Sequence, residues 1–190
     1  MKRRLNIPKF KEKVFIICEG VGDKIYLEKV ISFYETKYDI CIISSGGKDK
    51  IVNKLREVLI LHPHNEYYIF IDTDANPKEV INNYQKQMKQ EGINHVDKIY
   101  CVNPIIEYLY LITQTNKHPT NFYTKNKYAK LFEKHFGIYE YSGTQKQYEE
   151  MAKRIDKDSF EKSKALISVD IYHNPSSTIT LLINKIIKKW

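Results

Sequence analysis

Four short apolar runs, each followed by a stretch of helical spacing, constrain this chain more than any other feature of its sequence. Val14-Phe15-Ile16-Ile17-Cys18 closes on Glu19-Gly20, and apolar residues then fall at Ile25, Leu27, Val30, Ile31 and Tyr34. Ile40-Cys41-Ile42-Ile43 is stopped by Ser44-Ser45-Gly46-Gly47, and residues 51–61 read as a second helix broken by His62-Pro63-His64-Asn65. Tyr67-Tyr68-Ile69-Phe70-Ile71 ends in Asp72-Thr73-Asp74, and Asn76-Pro77 opens a third helix running toward Gln90. Ile99-Tyr100-Cys101-Val102 is the fourth run, and Pro104 opens an apolar helix with Ile105, Ile106, Leu109, Leu111 and Ile112. Continuous apolar runs of this length are strands buried on both faces, and the intervening spacing is that of amphipathic helices.

Alternation of this kind predicts an α/β fold: a mostly parallel sheet flanked by helices. In such sheets ligands bind beyond the carboxyl ends of the strands. The acidic residues of this chain fall at those ends. From Gln114 to Lys162 the sequence turns polar and reads as two or three short helices. Ala165-Leu166-Ile167-Ser168-Val169 reads as a last strand, Asn174-Pro175-Ser176-Ser177 as a helix entry, and residues 179–187 as an amphipathic terminal helix. The expected organisation is an α/β core over 1–113 with a small helical C-terminal appendage over 114–190 that packs on it.

With 190 residues, 42% of them hydrophobic, a sizeable core can form. No apolar run approaches the roughly 20 residues of a membrane helix. The basic start, Met1-Lys2-Arg3-Arg4, leads to Pro8 and more lysine rather than to a signal-peptide apolar stretch. The expectation is a cytoplasmic protein with no membrane partner. Cys18, Cys41 and Cys101 lack the paired spacing of a zinc site and read as buried reduced thiols. A net charge of +8 suits a polyanionic partner, RNA or DNA, and equally describes a solvated lysine-rich surface. Most of the fifteen tyrosines are expected in the core or at its boundary, although tyrosine also stacks on bases. The histidines (His62, His64, His95, His118, His135 and His173) are scattered and read as surface residues.

The chemistry concentrates in two short motifs. In Glu19-Gly20-Val21-Gly22-Asp23, Glu19 ends a buried strand, where a carboxylate must be solvated, paired or metal-bound. Gly20 and Gly22 permit a sharp turn into the helix. Asp23 stands at the helix start, where it also serves as a simple N-terminal cap. In Asp72-Thr73-Asp74, continued strand alternation puts both carboxylates on one side. Such a pair repels by roughly 4 kcal/mol at an effective dielectric of about 20, so a proton or a cation must relieve it. The same residues are also good turn chemistry. Adjacent parallel strands would bring the motifs together, and an oxygen-only cluster favours Mg2+, Mn2+ or Ca2+ over zinc. Such a site can polarise a phosphate and activate water.

The order strand-Glu19-Gly20-x-x-Asp23-helix, then strand-Asp72-x-Asp74, resembles the TOPRIM domain. That domain is shared by topoisomerases, bacterial primases, old-type nucleases and ribonuclease M5. Asn103-Pro104-Ile105-Ile106-Glu107 and Asn174-Pro175-Ser176-Ser177-Thr178 are similar to two segments of RloB-like TOPRIM proteins. Tyr108-Leu109-Tyr110 departs from the tryptophan those proteins carry nearby. The resemblance implies a Mg2+- or Mn2+-dependent nuclease. Glu19, Asp72 and Asp74 would be its catalytic and metal-binding acids, and Asp23 and Glu107 would be further ligands. Lys48, after Gly46-Gly47, would approach a substrate phosphate; an ordinary turn with an exposed lysine is the other reading. The resemblance further implies an anti-phage defence effector acting on tRNA or other nucleic acid. No Walker A pattern occurs, so any ATPase would be a separate partner, and a homo-oligomer is compatible with this scheme. A ribonuclease M5-like RNA maturase and a non-catalytic nucleic-acid-binding or partner module stand as alternatives.

Overall fold

A computed structural model describes residues 12–93, 98–117 and 125–187. The basic start at residues 1–11, His95 and His118 lie outside them. The chain forms β1 (Lys13–Cys18), α1 (Val21–Ile31), β2 (Asp39–Ser44), a single 3-10 turn (Lys48–Lys50), α2 (Ile51–Leu61), β3 (Glu66–Asp72), α3 (Pro77–Gln90), β4 (Ile99–Asn103) and α4 (Ile106–Thr115). There follow α5 (Lys125–Phe136), α6 (Gln145–Lys153), α7 (Lys157–Lys164), β5 (Ser176–Ser177) and α8 (Ile179–Ile186). All four expected strands are present. They form a parallel sheet, to which β5 adds an antiparallel edge in the order β2-β1-β3-β4-β5.

The fifth strand is not the expected one. Residues 165–169 are turn and irregular chain, and Ser176–Ser177 pairs with β4 instead. Two residues are too few to leave an alternation signal. This strand is held by side chains: Thr178 Oγ1 accepts from the Cys101 amide at 2.8 Å, and Ser177 Oγ donates to the Cys101 carbonyl at 2.9 Å.

Alternate residues of the strands face two separate cores. Val14, Ile16, Cys18, Tyr68, Phe70, Tyr100 and Val102 pack beneath α1, α4 and α8. Phe15, Ile17, Tyr67, Ile69, Ile71 and Cys101 pack beneath α2 and α3. The first core does not stop at residue 113. Tyr128, Phe132, Phe136, Tyr141, Tyr148, Met151 and Phe160 of the helical extension are buried in it beside Tyr26 and Leu27 of α1. Among the described residues no helix is long and apolar enough to cross a membrane.

The strand order creates a switch point. From β1 the chain moves to β2 on one side, then returns to β3 on the other. Helices α1 and α2 therefore leave opposite faces, and a crevice opens between the carboxyl ends of β1 and β3. Glu19 directly follows β1, and Asp72 is the last residue of β3.

Candidate functional site

A cavity of about 200 Å³ sits at this switch point, lined by Glu19, Asp23, Asp72 and Glu107 together with Gly20, Val21, Gly22, Ile106, Gly143 and Tyr148. Four carboxylates thus reach one space from four places in the chain. Glu19 comes from the end of β1, Asp23 from the first turn of α1, Asp72 from the end of β3 and Glu107 from the first turn of α4.

Asp23 performs the capping role open to it with one oxygen only. Its Oδ2 accepts the Gly20 amide at 2.8 Å, while its Oδ1 is buried without a hydrogen-bond partner. Glu19 Oε2 and Asp72 Oδ1 are buried without partners as well. Orphaned buried acceptors of this kind are rare in native proteins and call for a physical explanation. Burial pushes the Asp23 carboxyl up to about 7, against the Gly20 N–H and with the help of Glu19 and Glu107. Asp72 is held well above the carboxylate range by burial, then by repulsion from Asp23, Glu19 and Glu107, with the Ile106 N–H opposing. Glu19 is raised by burial, with Lys48 pulling the other way. The three acids compete for too little solvation and too little positive charge.

Asp74 is placed differently. The chain leaves the sheet at Thr73, whose amide donates to the carbonyls of Val102 and Pro104, and Asp74 and Ala75 both take positive φ, 48° and 65°. Strand alternation therefore ends before Asp74. Its side chain is exposed, forms an ion pair with Lys48, and does not line the cavity. Lys48 is thus engaged by Asp74, with its charge felt by Glu19.

Asn103 does not line the cavity either. Its Nδ2 donates to the carbonyls of Ile171 and His173, at 3.0 and 3.2 Å, and so fixes the loop ahead of β5. All three cysteines are free; Cys18 and Cys101 are buried thiols whose pKa values are raised chiefly by burial, whereas Cys41, on the edge strand β2, is half-buried rather than buried as expected.

Sequence reasoning missed the contribution of the helical extension. Tyr141 and Tyr148 both place their hydroxyls on Glu107 Oε1, at 2.6 and 3.0 Å, and lie 2.9 Å from one another. The glycine motif has a further meaning here. A Cβ on Gly22 would lie 2.5 Å from Tyr148 Cζ, so this position is glycine because an aromatic ring lies against the first turn of α1. The Tyr110 hydroxyl also donates to the Gly22 carbonyl at 3.0 Å.

A cation fits the chemistry of the donors: oxygen-only, anionic, and carrying three orphaned atoms. Among the described residues, no three His, Cys, Asp or Glu side chains stand at the spacing of a bound metal ion. The carboxylates must therefore draw together to hold one.

No protein-family model matches the sequence, and no curated protein matches it. Among solved structures, the C-terminal region of the Burkholderia pseudomallei OLD protein is similar. It has a TM-score of 0.46 and 9% identity, covering 80% of this chain and 97% of that one. The C-terminal region of the Xanthomonas campestris pv. campestris OLD protein is similar with a TM-score of 0.43 and 11% identity, covering 84% of this chain and 98% of that one. At that distance the functional reading rests on the chain's own site.

Proposed function

We propose that this chain is a divalent-metal-dependent nuclease whose site is the acidic cavity between β1 and β3. One observation carries the reading: four carboxylates converge on a cavity at the switch point, with three of their buried oxygens unpartnered. Glu19, Asp23, Asp72 and Glu107 would hold Mg2+ or Mn2+. When bound, the metal supplies charge neutralisation at the phosphate and a more acidic water. Asp72 sits against the Ile106 N–H at the start of α4, which fixes its direction. Glu19 feels the charge of Lys48 and is suited to take a proton from the attacking water. Lys48, now paired with Asp74, can exchange that carboxylate for a substrate phosphate, and Asp74 is then free to serve as a rim ligand. The net charge of +8 attracts the nucleic acid.

The motif resemblance to RloB-like TOPRIM proteins supports a finer reading. On it, the chain is an anti-phage effector that cuts tRNA or other nucleic acid beside a separate ATPase. A ribonuclease M5-like maturase would share the acids but act on precursor ribosomal RNA. The non-catalytic binding module is favoured by one observation, the spread of the carboxylates beyond metal spacing.

Cleavage of labelled tRNA, precursor ribosomal RNA, single-stranded DNA and duplex DNA tests these readings. Mg2+, Mn2+ and EDTA should each be assayed beside Asp72→Ala. The nuclease reading predicts cutting with Mg2+ or Mn2+ that is lost with EDTA and in the variant. Binding without cutting in every condition, unchanged by Asp72→Ala, would establish the module.

A further inference from the structure

We propose that Tyr141 and Tyr148 are positioning residues that hold Glu107 for divalent-cation binding, which makes the helical extension a working part of the acid site. The proposal rests on the reading of the cavity as a metal site.

Both phenols belong to chain that is distant in sequence, 34 and 41 residues beyond Glu107, yet both meet the same carboxylate oxygen. Each phenol has one proton to give, and an ionised carboxylate is the strongest acceptor in the group. Two protons serve three contacts, because Tyr141 also reaches the Tyr148 hydroxyl at 2.9 Å, so the phenols and Oε1 form one hydrogen-bonded cluster on a single oxygen of the carboxylate that lines the cavity. A carboxylate fixed through one oxygen in this way is the usual outer-shell arrangement around a metal ligand.

The phenols are themselves held. The Tyr148 ring lies against Gly22 and stands 5.5 Å from the Tyr110 ring. The Tyr141 ring meets Phe132 edge-on at 4.6 Å. Gln147 Oε1 accepts from the amides of Ser142 and Gly143, at 3.0 and 3.1 Å, and so fixes the loop between the two tyrosines. A merely packed pair of tyrosines would need the rings. This arrangement also fixes where the hydroxyls point.

The experiment is Mn2+ titration by calorimetry on the full chain. Wild type is compared with Tyr141→Phe, Tyr148→Phe, the double variant and Glu107→Gln, and each phenylalanine change is repeated in the Glu107→Gln background. Phenylalanine keeps both rings, and thermal melting confirms that each variant folds. The proposal predicts Mn2+ affinity reduced by about tenfold to a hundredfold in the double variant, the usual cost of removing an outer-shell partner. It predicts no further loss when the phenylalanines are added to Glu107→Gln. Unchanged affinity in the phenylalanine variants overturns the positioning role while leaving the metal site standing. Full loss on top of Glu107→Gln also overturns it, because the phenols then act by another route. Wild type that takes up no Mn2+ overturns the metal reading and this proposal with it. If the double variant does not fold, Tyr141→Phe alone carries the same comparison.

Discussion

At Gly22 the ordinary helix preference and the local packing point in opposite directions. Alanine in a helix is favoured over glycine by about 1 kcal/mol. The added Cβ would, however, fall 2.5 Å from the Tyr148 ring, and that ring cannot retreat without releasing Glu107. Gly22→Ala is therefore expected to destabilise the chain by about 1–3 kcal/mol, the usual cost of overpacking, measured by urea denaturation. The buried acids make a second residue-scale prediction. Asp23 binds its proton up to about 7 in the folded chain against an ordinary value of 3.8, so the folded state holds the proton more tightly than the unfolded one. Stability from this source is complete at low pH and is lost as pH rises from about 4 through about 7. Asp72 and Glu19 shift in the same direction. The melting temperature of EDTA-treated protein should fall over that window, and Mn2+ should raise it more at about pH 8 than at about pH 5. A melting temperature that is flat across the window, with and without Mn2+, would contradict the buried-acid account.

Among the elements, α6 brings Tyr148 to the site. Thr144 caps it, accepting the Gln147 amide, and Gln147 reaches back to the amides that precede the helix. Gln147→Leu would hand those half-exposed amides to water and should cost about 0.5–1.5 kcal/mol, the net worth of a typical hydrogen bond. Thr144→Ala should cost about 1 kcal/mol. Both are read by chemical denaturation, and the glutamine change should also weaken Mn2+ binding. The sequence announces the capping pattern but nothing about its destination. The segment from Gln114 to Lys162 is polar, and its periodicity gives no hint that Tyr141 and Tyr148 return to Glu107. By contrast, the four parallel strands were legible as continuous apolar runs, including β2, which as an edge strand is only half-buried. Glu19, Asp23 and Asp72 were legible for a related reason: strand ends and first helical turns are places where an acid stands out against apolar neighbours, whereas Glu107 entered only through the resemblance to RloB-like proteins. Asp74 was misplaced by an extrapolation. Alternation holds only while the backbone is extended, and two residues of positive φ turn the chain away.

For the whole molecule, the net charge of +8 predicts salt-sensitive binding to nucleic acid. The logarithm of oligonucleotide affinity should fall linearly with the logarithm of salt, by about 0.7 per phosphate neutralised on a single strand. A slope near zero in a fluorescence-anisotropy titration would remove nucleic acid as the partner. Fold and site are joined at this scale as well, since one core runs from β1 through α4 to the helical extension. The central claim is that the cavity between β1 and β3 holds a divalent cation, and crystals of the chain soaked in Mn2+ test it most directly through anomalous diffraction. The account predicts an anomalous peak in contact with Asp72 and at least one of Glu19, Asp23 and Glu107. Well-diffracting crystals with no peak there, or with manganese only at exposed carboxylates elsewhere, would contradict it.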